Sequence, residues 1–206
     1  ASIYNSKDYM WVNENTLTYL NAFGKHRINA MIAMTQQSSR NQNSSATSQG
    51  FLNDNLQMWD MGSGTVALSP SSGSSRWALL SYLGRINYNF NEKYLTTISF
   101  RADGLSRFGR NNRLAYFPSA ALAWRASEEE FIKSLGLFSN LKLRVSYGET
   151  GNQDGIGVYP SMALLGKKAY SLGDTKYMGY APTQVANYNL KWETTKQSDF
   201  GIEMGF

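Results

Sequence analysis

The 206-residue sequence has no cysteine, a single histidine and only four prolines. Without thiols there is no disulfide framework and no thiol chemistry, and the redox compartment stays open. His26, with no cysteine beside it, leaves a zinc site short of good ligands. No stretch approaches the roughly 18–20 apolar residues of a membrane helix, and mean hydropathy is −0.42. This does not touch a β-barrel, whose strands hide their apolar residues in alternation. The opening residues, ASIYNSKDYMW, lack the basic and apolar regions of a signal peptide. The expectation is either a protein that stays inside or a mature or internal piece of something longer. Basic residues outnumber acidic ones by 20 to 15. They are scattered along the chain rather than clustered among aromatics, so no nucleic-acid surface is expected.

What the chain does have is alternation. In Ser81 to Phe90, Tyr82, Ile86, Tyr88 and Phe90 share one parity, and Ser81, Arg85, Asn87 and Asn89 the other. After Asn91-Glu92-Lys93, Tyr94, Ile98 and Phe100 alternate with Thr97, Ser99, Arg101 and Asp103. Successive side chains of a strand point to opposite faces, so these runs form a hairpin with one apolar and one polar, charged face. Further strands are expected at Asn15–Ala22, His26–Thr35, Trp77–Phe90, Pro118–Trp124, Leu141–Tyr147 and Lys191–Phe206. A turn at Phe23-Gly24-Lys25 and a short helix over Glu128–Ser134, capped by Ser127 and ended near Gly136, complete the regular structure.

About seven strands result, joined alternately by short links and by long polar loops at 36–75, 104–114 and 148–189, the rhythm of an outer-membrane barrel. Aromatics gather at both ends, as interfacial girdles require. Tyr88, Phe90, Tyr94 and Trp124 fall at the short-turn end; Trp77, Tyr82, Phe100, Phe117 and Tyr147 fall towards the long loops. The expected fold is all-β, an antiparallel transmembrane β-barrel segment with open edges at Asn15–Ala22 and Lys191–Phe206. The alternative is a soluble, secreted carbohydrate-binding β-sandwich.

SYLGRINYNFNEKYL, RADGLSRFGRNNR, YFPSAALAW, SEEEFIK, NLKLRVSYGETGN and NLKWETTKQSDFGIEMGF follow one another in order. With NENTLTYLNAFGKHRINAM before them, they resemble the barrel of SusC/RagA-type TonB-dependent transporters of Bacteroidetes. Leu105 and Leu114-Ala115 depart from that pattern. The resemblance implies an outer-membrane barrel of about 22 strands around a plug. It implies energy-coupled import of oligosaccharides or peptides, a SusD-like surface lipoprotein as partner, and contact with TonB through the plug. On this reading residues 1–206 are part of a single barrel domain from the C-terminal half, with the plug outside the chain.

No catalytic constellation, metal site or cofactor is expected. Gly148–Gly155 (GETGNQDG) lacks the spaced carboxylates and closing Glu of a calcium loop. Glu128, Glu129 and Glu130 read as helix capping and solvation. Asn43-Ser44-Ser45 fits a glycosylation acceptor, a match common by chance in such loops. Substrate contact is expected from the loop aromatics Trp59, Tyr159, Tyr177 and Tyr180. Lumen-facing charges are expected at Arg85, Arg101, Asp103, Arg125 and Arg144, the arginines pairing with carboxylates of the plug or of neighbours. A secretion or adhesion barrel that moves no nutrient shares the same strand pattern.

Overall fold

The computed structural model describes residues 1–53, 55 and 57–206. The chain divides into two units: 1–12 with 37–78, and 13–36 with 79–206. Strands β1 (Ser2–Phe23), β2 (His26–Gln49) and β4 (Ser71–Phe90) contribute to both; β3 is the two-residue Val66–Ala67. The rest belong to the second unit: β5 (Tyr94–Leu105), β6 (Leu114–Arg125), β7 (Asn140–Asn152), β8 (Leu164–Leu172), β9 (Thr175–Gln184) and β10 (Glu193–Gly205). The main sheet runs β1-β2-β4-β5-β6-β7-β10, with β3 paired to β2. The expected open edges are therefore the two outermost strands.

In the second unit the registers carry the apolar parity from strand to strand. Ile86 lies opposite Ile98, Ile98 opposite Ala120, Leu122 opposite Val145, and Val145 opposite Phe200. A slip of one residue anywhere would turn a whole strand over. The short turns hold this register. Asn91 and Glu92 have φ of 54° and 58°, the positive pair of a type I′ turn, and Lys93 N–H bonds Phe90 O at 3.1 Å. Gly24, with φ 57°, serves the β1–β2 turn as expected.

Several boundaries differ from expectation. Most of the stretch expected as a loop at 36–75 is strand: β2 continues to Gln49 and β4 begins at Ser71, leaving 50–70 as the connection. Positions 54 and 56 of that stretch lie outside the described residues. Ser45 Oγ and Ser71 Oγ bond at 2.8 Å, Ser2 and Thr47 at 3.0 Å, and Asn41 donates to Asp8 at 2.7 Å. These strands bond through polar side chains, so no hydrophobic alternation marks them. The 148–189 stretch likewise holds the end of β7 and a separate two-stranded hairpin, β8–β9. The loop expected at 104–114 shrinks to 106–113, and β6 starts at Leu114 rather than Pro118. The helix is a single turn, α1 (Glu130–Lys133), after a 3-10 turn at Ala126–Glu128. Glu129 precedes α1 without a side-chain cap, so Ser127 is not the cap.

Candidate functional site

Two surfaces of the second unit bear on function: the faces of its sheet and the cluster at its long-loop end. On the apolar face Ile98, Leu122, Val145 and Ile202 remain 55%, 54%, 49% and 50% exposed. A face this apolar and this open is built to be covered by something other than the sheet itself. At its short-turn end a row of rings follows the rim. Phe23 stacks on His26 at 5.2 Å, His26 lies 4.9 Å from Phe90, and Phe90 stacks on Tyr94 at 6.3 Å. His26 Nδ1 and Tyr88 Oη are 2.7 Å apart, which fits an interfacial histidine.

Glu129 ties this rim to the segment below it. Its carboxylate accepts from Lys93 Nζ and Tyr94 Oη, both at 2.8 Å, and from Trp124 Nε1 at 3.3 Å. The bond from Lys93, then that from Tyr94, holds the Glu129 carboxyl below the usual carboxylate range; the same bond raises Lys93. Glu128 is lowered by Lys133, which donates to it at 2.7 Å. The anchoring role of Glu129 was not legible in a run of three glutamates read as solvation; the spacing of Tyr94 and Trp124 at one strand end was its only signal.

The opposite face carries the polar parity. Arg101 Nε donates to both oxygens of Asp103, at 2.9 and 2.8 Å, and its Nη2 reaches Ser81 Oγ at 3.2 Å. Ser99 and Ser119 bond at 2.6 Å, and Thr97 donates to Asn87 at 2.9 Å. Arg144 and Lys142 both approach Glu203, at 3.3 and 3.6 Å. Arg85 meets Met31 Sδ at 3.8 Å, and Arg125 lies 3.7 Å from Glu128. Arg101, Arg125 and Arg144 thus have carboxylate partners within the chain itself.

The long-loop end of the polar face holds most of the large buried side chains. Leu105 and Phe108 are fully buried, with Phe117 and Trp192 nearly so. Phe108 lies 5.0 Å from the Trp192 ring, Phe117 meets it edge-on at 5.6 Å, and Trp192 Nε1 donates to Arg113 O at 3.1 Å. The 106–113 loop is pinned to the 153–190 region by Arg107 to Ile156 O, Ser161 to Arg107 O and Asn112 to Tyr188 O. Phe117 was expected in the outer aromatic girdle. Its place is here, because its parity is that of Ser119 and the Arg101 partner position. Trp77 also has the polar parity, that of Ser81, so it too leaves the expected girdle.

Three of the four loop aromatics lie in the second unit. Tyr177 stacks on Tyr170 at 5.7 Å, while Tyr180, 71% exposed, has the opposite parity of β9. Tyr159 sits under the hairpin, its carbonyl accepting from Gln184 Nε2 at 2.7 Å. Trp59 belongs to the other unit, in a 3-10 turn, and is 83% exposed.

An open apolar face with a rim of rings, backed by a polar face of paired charges, is the surface pattern of a membrane barrel wall. Residues 2–206 match the family model "TonB dependent receptor-like, beta-barrel". The chain belongs to this family. It is 36% identical over 193 residues to the TonB-dependent receptor P3 of Formosa agariphila, covering 94% of the chain and 19% of that receptor. It is 42% identical over 137 residues to the TonB-dependent receptor SusC of Bacteroides thetaiotaomicron, covering 65% of the chain and 14% of SusC. Among solved structures, that of the RagAB peptide transporter superposes with a TM-score of 0.86 at 31% identity, over 99% of the chain and 22% of the transporter chain. The chain thus spans between 14% and 22% of the length of these relatives. It is part of the outer-membrane β-barrel of a TonB-dependent receptor of the SusC/RagA type. The soluble-sandwich alternative falls with this assignment.

Proposed function

We propose that residues 1–206 form part of one barrel domain in an outer-membrane importer of oligosaccharides or peptides. The apolar face meets lipid and the polar face lines the lumen, with Arg85, Arg101, Asp103, Arg125 and Arg144 pointing inward. The 50–70, 106–113 and 153–192 segments lie outside the cell, where a SusD-like lipoprotein meets them, and TonB acts through a plug supplied by the rest of the receptor. Trp59, Tyr159, Tyr177 and Tyr180 contribute separate contacts to substrate or lipoprotein, since sugar rings and peptide side chains stack on exposed aromatic faces. The observation that carries this reading is the unbroken apolar parity from β4 to β10. In bilayer only a closed ring of strands satisfies every backbone group, which makes β1 and β10 seams for neighbouring strands.

Single cysteines test the orientation, because this segment has none of its own. In whole cells carrying the intact receptor, a membrane-impermeant thiol reagent should label Trp59→Cys and Tyr180→Cys and spare Arg27→Cys and Glu92→Cys. Labelling at the short turns instead would invert the topology.

A further inference from the structure

Resting on the reading of the apolar parity as lipid-facing, we propose that the connection between β6 and β7 is an interfacial segment. Phe131, Leu135 and Leu137 enter the headgroup and upper acyl region of the leaflet at the short-turn end. The connection is fastened at both ends to side chains of the lipid parity. At its start Glu129 accepts from Tyr94 Oη at 2.8 Å and from Trp124 Nε1 at 3.3 Å. These two residues lie opposite each other in the β5–β6 register. At its end Phe138 meets the ring of Phe206 at 5.4 Å, and Ser139 N–H bonds Gly205 O at 2.9 Å. Phe206 continues the parity of Phe200 and Ile202. The stretch between the two fastenings therefore runs along the lipid side of the rim, not across the lumen.

Between these ties lies an apolar surface that the chain leaves open. Phe131, Leu135 and Leu137 are 61%, 56% and 61% exposed. Phe131 and Leu135 stand four positions apart, so they share one side of the turn around α1. Glu130 and Lys133, exposed as well, fall on another side, where Lys133 donates to Glu128 at 2.7 Å. The backbone is equally suited to a place without water. The N–H groups of Ile132, Lys133, Ser134, Leu135 and Gly136 all bond carbonyls of the same segment, at between 2.9 and 3.2 Å. Ser134 Oγ donates to Phe131 O at 3.1 Å. Water satisfies such donors without help, whereas in an apolar layer an unpaired one is costly. A turn with apolar side chains on one side and charges on the other has the make-up of a segment lying in a membrane surface. Open apolar side chains also suit a protein partner; continuity with the Tyr94 and Trp124 rim, at the level where such rings meet headgroups, selects lipid.

The test uses the intact receptor in lipid vesicles, with one spin-labelled cysteine at a time and no other cysteine in the chain. Collisions with oxygen, which concentrates in the bilayer, are compared with collisions with a water-soluble nickel chelate. A label at Leu137→Cys should favour oxygen, as should the reference Val145→Cys, and one at Glu130→Cys should favour nickel. Adding Phe131→Ser with Leu135→Ser should reverse the preference at position 137. A label at 137 that meets both reagents as the label at 130 does overturns the proposal. So does shielding from both, the sign of a protein partner, and so does an unchanged preference in the serine variant. Heat-modifiable gel mobility shows whether the serine variant inserts; where it does not, the label at 137 in the otherwise unchanged receptor decides alone. A nickel-favouring label at Val145→Cys would overturn the lipid-facing reading itself. With position 145 in lipid and 137 in water, only the interfacial segment falls.

Discussion

At the short-turn end of the second unit, one carboxylate on a connecting segment collects a lysine from the neighbouring turn and a tyrosine and a tryptophan from neighbouring strands. At the long-loop end, Leu105, Phe108, Phe117 and Trp192 close over one another on the opposite face of the sheet. The two ends differ in what covers them. On the proposed reading lipid surrounds the rim of rings, and besides stacking those rings the chain contributes the polar ties that fix the turn. Over the polar face, which that reading turns to the lumen, loops that stay put must bring their own core. A barrel wall therefore keeps its buried side chains where it folds over itself, not along the strands that cross the membrane.

The sharpest way to break this contrast is to empty the loop core. Trp192→Ala or Phe108→Ala should cost about 3–5 kcal/mol in that region. It should also free the 106–113 and 153–163 segments to proteases in the intact receptor, while the barrel stays inserted. Gly151→Ala should act in the same direction, since the new methyl group would fall on the Phe117 ring. Unchanged protease resistance in all three variants would mean that the loops are held by something other than this core.

A second comparison sets the two faces of one strand against each other. Val145→Arg, opposite Leu122 and Phe200, should destabilise the intact barrel by roughly 2–4 kcal/mol if it lies near the midplane. Ser146→Gln, on the neighbouring parity beside Asp199, should be mild. Unfolding of both variants in lipid vesicles decides it, and a larger effect at position 146 would exchange lipid and lumen.

Alternation made β4, β5, β7 and β10 legible, because each presents one apolar and one polar face along most of its length. It failed on the outer parts of β1 and β2, where Ser45, Asn41 and Thr47 hold the ladder with polar side chains and neither face needs to be apolar. Of the expected inward charges, the partners of Arg101 and Arg144 could not be read from the sequence. Glu203 lies nearly sixty residues from Arg144, and only the β7–β10 register brings them together. Phe117 and Trp192 were visible as aromatics but not as a core. Nothing in a strand's parity tells a lumen-side ring covered by a loop from one at a membrane interface.

The smallest effect expected is at Glu129, and pH gives it a sign. The Glu129 carboxyl is held below its ordinary 4.5, so its contribution is present above that value and is lost as pH falls through the lower folded pKa. Lys93 is raised above its ordinary 10.5, so its contribution is present below that value and is lost as pH rises through the higher folded pKa. The Lys93–Glu129 bond should therefore hold undiminished between about 4.5 and 10.5. Hydrogen exchange of 126–134, expressed as protection factors, should be flat across that window in the wild type and fall on either side. In Glu129→Gln, which keeps the shape but not the charge, protection should already be lower at neutral pH. Its acid response should shrink to what Glu128 and Lys133 retain through their own bond. Lys93 without its carboxylate should also lose its alkaline shift, so the fall in protection above 10.5 should shrink as well. A Glu129→Gln receptor with the wild-type profile at both edges would mean that the turn is held by its backbone bonds and rings alone.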